Sequence, residues 1–286
     1  MTKKFEFNKQ INYFTIDPEY LAEGLKAAKG KYDSIRIMPL DHRIKGLSLD
    51  METLSGATWI VRLNLHHDIP VPKQEFRLLE RLVNVEELSI KEFTPLDYGR
   101  FSRLKRLILN AGTDFPGLEK ASSLELLYLT RWAVETLPAN IGTIAAPRVR
   151  ISGSRKIASI ERLGALAHLE SLMMQDLPAL EVGSELNKLK SLNDLHVEKT
   201  AWTDFKNLRS DSLRKLFASK VESLQFIKQL RNLEHLSFWD CVDGDLTPVL
   251  EHPTLARIDF TPERKHYSHK KAELRRLLAA KRAGQA

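Results

Sequence analysis

Cysteine is nearly missing: the 286-residue chain carries one, Cys241. A single thiol forms no internal disulfide, and a metal site built of cysteines alone is excluded. Such usage fits a reducing, cytoplasmic compartment. Long apolar runs are also lacking, and nothing approaches the ~18 consecutive apolar residues of a membrane span. The first residues, Met1-Thr2-Lys3-Lys4-Phe5, hold two lysines with no apolar run behind them, so a secretory signal is not expected. Phosphate-cradling glycine loops are missing, both the dinucleotide fingerprint and any Gly-Lys-Ser/Thr element. Neither His-Glu-x-x-His nor Gly-x-Ser-x-Gly occurs. With no complete catalytic set, the chain reads as a non-enzyme without cofactor or metal.

Acidic residues are scarce at one end. From Pro262 onward, eight basic residues face only Glu263 and Glu273, so this tail carries six of the chain's net +7 charges. The body before it is almost neutral. Basicity therefore belongs to one terminal segment, and a nucleic acid is not the expected partner of the body.

What the chain has in abundance is a repeat. An apolar residue, any residue and a second apolar residue recur, usually with Leu three places before. Copies stand at Leu63-Asn64-Leu65, Leu88-Ser89-Ile90, Leu107-Ile108-Leu109, Leu127-Tyr128-Leu129 and Val149-Arg150-Ile151. Further copies are Leu172-Met173-Met174, Leu195-His196-Val197, Leu216-Phe217-Ala218, Leu236-Ser237-Phe238 and Ile258-Asp259-Phe260. Leu47-Ser48-Leu49 fits the pattern, and Ile35-Arg36-Ile37 reads as a degenerate first copy. From Leu63 the steps run from 19 to 25 residues. Alternation makes each copy a strand with its two apolar residues inward and the middle one outward. Between strands, apolar residues fall about every third position, as at Ile160, Leu163, Leu166 and Leu169, which suits a short helix or 3₁₀ turn.

Over about residues 35–261 this pattern resembles the leucine-rich repeat family, as in Leu169-Glu170-Ser171-Leu172-Met173-Met174 and Leu192-Asn193-Asp194-Leu195-His196-Val197. Leu137-Pro138-Ala139-Asn140-Ile141-Gly142 is similar to a stretch common in that family. The resemblance implies an α/β solenoid, a horseshoe with a parallel concave β-sheet of about 11–12 strands and short helices or 3₁₀ turns behind. One feature departs from it. Where the family often places Asn or Cys, five residues after the first strand leucine, stand Phe93, Gly112, Trp132, Ser154, Leu177, Thr200, Val221 and Cys241.

Solenoid ends expose apolar surface, so caps are expected. Residues 1–34 read as an N-terminal cap with a helix over about 18–29, Asp17 its N-cap and Pro18 its first residue. Residues 262–286 read as a basic cap helix begun by Ser268, carrying Leu274, Leu277 and Leu278 on one face and ended by Gly284. Three weak constellations remain. His66-His67 is read as no metal site, because neighbours on an extended chain point apart and no carboxylate set completes it. His266 and His269, three apart, are read as a solvated junction. Cys241 falls at a repeat turn and is read as structural.

The outward positions define a surface. Tyr128, Met173, His196, Phe217 and Trp239 stand where small polar residues would suffice, with Arg148, Arg150 and His235 beside them. Aromatic and arginine side chains dominate interface energetics. These eight residues are the expected contact face for a protein partner, in a monomer or weak dimer. A bacterial immunity, inhibitor or regulatory protein is one concrete form. The alternative uses the tail cations Lys270, Lys271, Arg275, Arg276, Lys281 and Arg282 to hold nucleic acid or an anionic surface.

Overall fold

The computed structural model describes residues 4–40, 48–91 and 96–283, the Arg282 side chain excepted. It divides into two units, Met1–Ala133 with Thr143–Ala146, and Val134–Gly142 with Pro147–Ala286. The first holds β1 (Phe5–Asn8), β2 (Tyr13–Ile16), β3 (Ser34–Ile37), β4 (Arg62–Leu65), β5 (Glu87–Lys91), β6 (Arg106–Asn110) and β7 (Leu126–Thr130). β1 and β2 form an antiparallel hairpin; each later strand pairs parallel with the one before it. The second unit holds β8 (Arg148–Ser152), β9 (Ser171–Leu177), β10 (Asp194–Thr200), β11 (Lys215–Val221), β12 (His235–Cys241) and β13 (Arg257–Phe260), all parallel in chain order.

The apolar pairs of the repeat are the core. In the second unit Val149 and Ile151, Leu172 and Met174, Leu195 and Val197, Leu216 and Ala218, Leu236 and Phe238, and Ile258 and Phe260 are all buried. Register aligns them: Leu172 lies opposite Val149 and Leu195, and Leu216 opposite Leu195 and Leu236. Each fully buried side chain of this size contributes about 1.5–3 kcal/mol of transfer free energy. No single coil encloses its own core; its neighbours do.

Between strands the three-residue apolar spacing produces 3₁₀ turns, such as Phe76–Arg81 and Leu118–Lys120 in the first unit and Glu161–Ala165, Glu185–Lys188 and Gln225–Gln229 in the second. At three residues per turn, Leu163 and Leu166 fall on one side, and both are buried. Short α-helices occur at α1 (Leu21–Ala28), α2 (Met51–Ser55), α3 (Thr247–Glu251) and α4 (Lys271–Ala283).

Two backbone devices hold the register. The first is a fork at the entry to a strand, where one carbonyl accepts two successive amides of the next coil. Pro147 O accepts from Glu170 N and Ser171 N, Glu170 O from Asn193 N and Asp194 N, and Asn193 O from Arg214 N and Lys215 N, all at 2.8–3.1 Å. Arg214 O and Glu234 O continue the series at 2.8–2.9 Å. The second device is a left-handed residue four places after the first strand apolar: Ala111, Arg131, Gly153, Asp176 and Lys199, with φ between 50° and 61°. This kink turns the following residue inward. Gly112, Trp132, Ser154 and Leu177 are accordingly buried, and Thr200 is half-buried; Val221 and Cys241 are buried at the same place in their coils without a left-handed residue before them. An apolar column thus occupies most of the place where the family's asparagines were expected.

The structure departs from the sequence reading at several points. Leu47 lies outside the described residues, and Ser48 and Leu49 are not in a strand; buried Leu49 instead precedes α2, whose N-cap Asp50 accepts from Thr53 N at 2.9 Å. Phe93 and Gly284 also lie outside the described residues. β1 and β2 were not anticipated, because their apolar residues are largely aromatic: Phe5 meets the Phe14 ring at 5.6 Å and Phe7 stacks on Tyr32 at 4.8 Å. At the front, Asp17 does cap: its Oδ1 accepts from Glu19 N at 3.1 Å and its Oδ2 from Leu40 N at 2.8 Å, over a 3₁₀ turn at Pro18–Tyr20 that leads into α1. At the back, α4 starts at Lys271, not after Ser268, whose hydroxyl is occupied by Leu246 N at 2.9 Å.

Candidate partner-binding face

The outward row of the second unit is continuous. Arg150 lies opposite Met173, Met173 opposite His196, His196 opposite Phe217 and Phe217 opposite Ser237. Parallel pairing sets such neighbours on one face at about 5 Å. His196 stacks on Phe217 with ring centroids 4.3 Å apart and planes 16° apart, and Trp239 meets Phe217 edge-on at 5.4 Å. Trp239 is 38% exposed, while Met173, His196 and Phe217 are half-buried. Arg148 and Arg150 on β8 are exposed, and His235 on β12 is half-buried between Lys215 and Arg257 in register. Seven of the eight expected residues are therefore on one face of one unit. Tyr128, on β7 opposite Ile108, belongs to the outward row of the first unit and is half-buried.

Beside the aromatic row, on the same face, is a polar brace that the sequence did not single out. The Glu198 carboxylate accepts from His196 Nε2 at 3.1 Å and from Gln175 Nε2 at 3.0 Å. Burial pushes the Glu198 carboxyl up, but the bonds from Gln175 and His196 outweigh it and hold the group below its usual range. Glu198 therefore stays an ionised acceptor that fixes the His196 ring against Phe217. Gln175 and Glu198 stand two places beyond Met173 and His196, so period-two counting puts them on this face. Nothing in that counting says that they touch.

The cationic tail is partly committed to the fold. Lys271 Nζ lies 3.1 Å and Arg275 Nη2 3.2 Å from Asp259 Oδ1, and the Lys271 hydrogen bond holds the Asp259 carboxyl below its usual range. Arg275 Nε also donates to Ile258 O at 3.3 Å. Lys281 Nζ donates to Leu250 O at 2.9 Å and His252 O at 2.8 Å, carbonyls at the end of α3. With Leu274 and Leu278 buried, α4 is fastened over the last coil. Lys270 and Arg276 are exposed, and the Arg282 side chain lies outside the description.

Among the weak constellations, Cys241 is fully buried. Burial, then its hydrogen bond to Asp243, pushes the thiol up to about 12, so it is not a nucleophile at neutral pH. His266 and His269 precede α4 and share no helical turn; His266 Nε2 is 3.2 Å from Cys241 O, and His269 Nδ1 is 2.9 Å from Ser268 Oγ. His66 and His67 do not point apart. Strand β4 stops at Leu65, so alternation ends before them, and their rings lie 4.4 Å apart.

No family model and no curated protein matches this chain. Solved structures do match it. An internalin of Listeria monocytogenes aligns at 13% identity with a TM-score of 0.54, over 90% of this chain and 84% of that one. A leucine-rich repeat protein of Leptospira interrogans aligns at 18% identity with a TM-score of 0.55, over 93% and 87%. The fold is that of a leucine-rich repeat protein. A third leucine-rich repeat structure, the functional domain of another Listeria monocytogenes internalin, aligns at 13% identity with a TM-score of 0.50, over 80% and 56% of the two chains. That protein is described as including a cysteine ladder; this chain has a single cysteine. Among the described residues no helix is long and apolar enough to cross a membrane.

Proposed function

We propose that this leucine-rich repeat chain is a non-enzymatic binding module that holds a protein partner on the outward strand face of its second unit. The observation that carries the reading is the connected row Met173, His196, Phe217 and Trp239, flanked by Arg148, Arg150 and His235. Three rings contact one another on this face, and one of them is held by Glu198, itself hydrogen-bonded by Gln175. Rigid, amphipathic rings beside arginines are the side chains that concentrate binding energy at protein interfaces. Tyr128 supplies a similar residue on the first unit. The finer form of the reading is a cytoplasmic bacterial immunity, inhibitor or regulatory protein that forms a stoichiometric complex with its target.

The test is capture from native extract by wild type and by Phe217→Ser and Trp239→Ser chains, followed by titration of any retained protein. Each substitution is expected to weaken binding roughly thirty-fold, which is about 2 kcal/mol for an interface hot spot. Equal retention and equal affinity for all three chains would remove the face from the function. The tail reading, with nucleic acid or an anionic surface as partner, rests on Lys270 and Arg276, because Lys271, Arg275 and Lys281 are engaged in fastening α4. It requires binding that falls steeply with salt.

A further inference from the structure

At the end of β4 the chain turns: Ile69 N donates to His66 O at 3.1 Å, closing a four-residue turn over residues 66–69. His66 remains tied to the sheet through its own amide, which donates to Ile37 O at 3.0 Å. The turn brings three donors together. His66 Nδ1 is 3.8 Å and His67 Nε2 3.6 Å from Asp68 Oδ2, and one ligand atom from each residue lies within 4.8 Å of the others. We propose that His66, His67 and Asp68 form a site for one divalent transition-metal ion of the zinc class, independent of the partner-binding face.

Coordination geometry supports it. With metal–ligand bonds of about 2.0–2.2 Å, neighbouring ligands of a tetrahedral ion stand about 3.3–3.5 Å apart. Two of the three edges are within a few tenths of an ångström of that already. Because all three ligands come from consecutive residues of a closed turn, little chain ordering remains to oppose binding. Two imidazoles and one carboxylate suit zinc, nickel or copper; magnesium and calcium need more oxygen ligands than the turn offers. His67 and Asp68 have side chains 37% and 46% exposed, so an ion can enter and keep a fourth position open to water or to another side chain. The Arg36 guanidinium opposes an added cation: its strand neighbour Asn64 is two residues from His66, and its charge acts on that imidazole.

The experiment is calorimetric titration of zinc into the full chain after treatment with chelator, with cobalt absorption reporting the geometry. One zinc per chain is expected, with a tetrahedral cobalt spectrum and no displacement by excess magnesium. His67→Ala and Asp68→Asn should each weaken zinc roughly tenfold or more, since even outer-shell partners of a metal are worth 10–100-fold. His269→Ala should leave binding unchanged, and Arg36→Gln should tighten it. Circular dichroism of the zinc-free variants checks that they fold; Asp68→Asn keeps the side-chain size and serves if the histidine variant does not. Absence of one-to-one binding, or binding undiminished in the folded variants, overturns the site.

Discussion

His252 is buried against α3, and both of its ring nitrogens are used. Nε2 is 3.0 Å from Leu230 O, while Nδ1 accepts from Leu255 N at 3.2 Å. That arrangement requires a neutral ring, with the proton on Nε2. Burial, with Lys281 nearby, lowers the His252 pKa below its ordinary value despite the bond to Leu230 O. The unfolded chain therefore takes up this proton at a higher pH than the native one. The stability from the neutral ring is complete above the unfolded value of about 6.5 and is lost as pH falls from there toward the depressed native value. Urea midpoints should drop between pH 7.5 and 5.5 in the wild type and drop less in His252→Gln. Equal slopes in the two chains would show that this ring does not carry the dependence. Gly117 is another residue fixed by its surroundings. Its φ is 77°, and a Cβ there would lie 2.3 Å from Asp97 Oδ1 and 2.7 Å from the backbone nitrogen of Gly99. Gly117→Ala should cost more than about 1 kcal/mol in a denaturation experiment, because left-handed strain and a backbone clash add.

At the scale of elements, the strands of the repeat were legible because an inward, outward, inward triplet recurs in every copy from Leu172 to Phe260. Elements with other chemistry were less so. The β1–β2 hairpin uses Phe5, Phe7 and Phe14 in place of leucine pairs, and so gave no repeat signal. Ser268 looked like a helix cap by residue type, yet a backbone amide 22 residues away in sequence claims its hydroxyl. The candidate face followed the same rule: Met173, His196, Phe217 and Trp239 could be counted onto one side, but the brace from Glu198 and Gln175 depends on rotamers. The turn at His66 escaped for a related reason, since nothing in the alternation marks where β4 stops pairing. α4 joins the two kinds of information. Its apolar stripe was readable, whereas the seating of Lys281 on two carbonyls was not. Leu274→Ala should remove about 2–5 kcal/mol of stability, the range for a fully buried leucine. A loss well below 1 kcal/mol would mean that α4 contributes little to the cap.

Over the whole molecule, each unit is a set of coils in which every inner strand is held by the one before and the one after it. Stability in such an arrangement is close to a sum of nearest-neighbour contributions. Each unit sets a long row of outward side chains on its strand face. The same periodicity that made the fold readable also limits what the sequence says of the partner: every coil offers outward residues, and it is the ring-to-ring contacts from His196 to Trp239 that set a subset of the second unit apart. The strand-entry forks bear on how such a chain changes length. Each forked carbonyl serves two amides, so one residue gained or lost between fork and strand would orphan both bonds and turn the apolar pair outward. Residues gained on the 3₁₀ side disturb neither. The coils vary from 19 to 25 residues while the fork keeps its place before β4 to β7 and before β9 to β13. Insertions and deletions are thereby directed to the back of the repeat, and the outward row keeps its spacing.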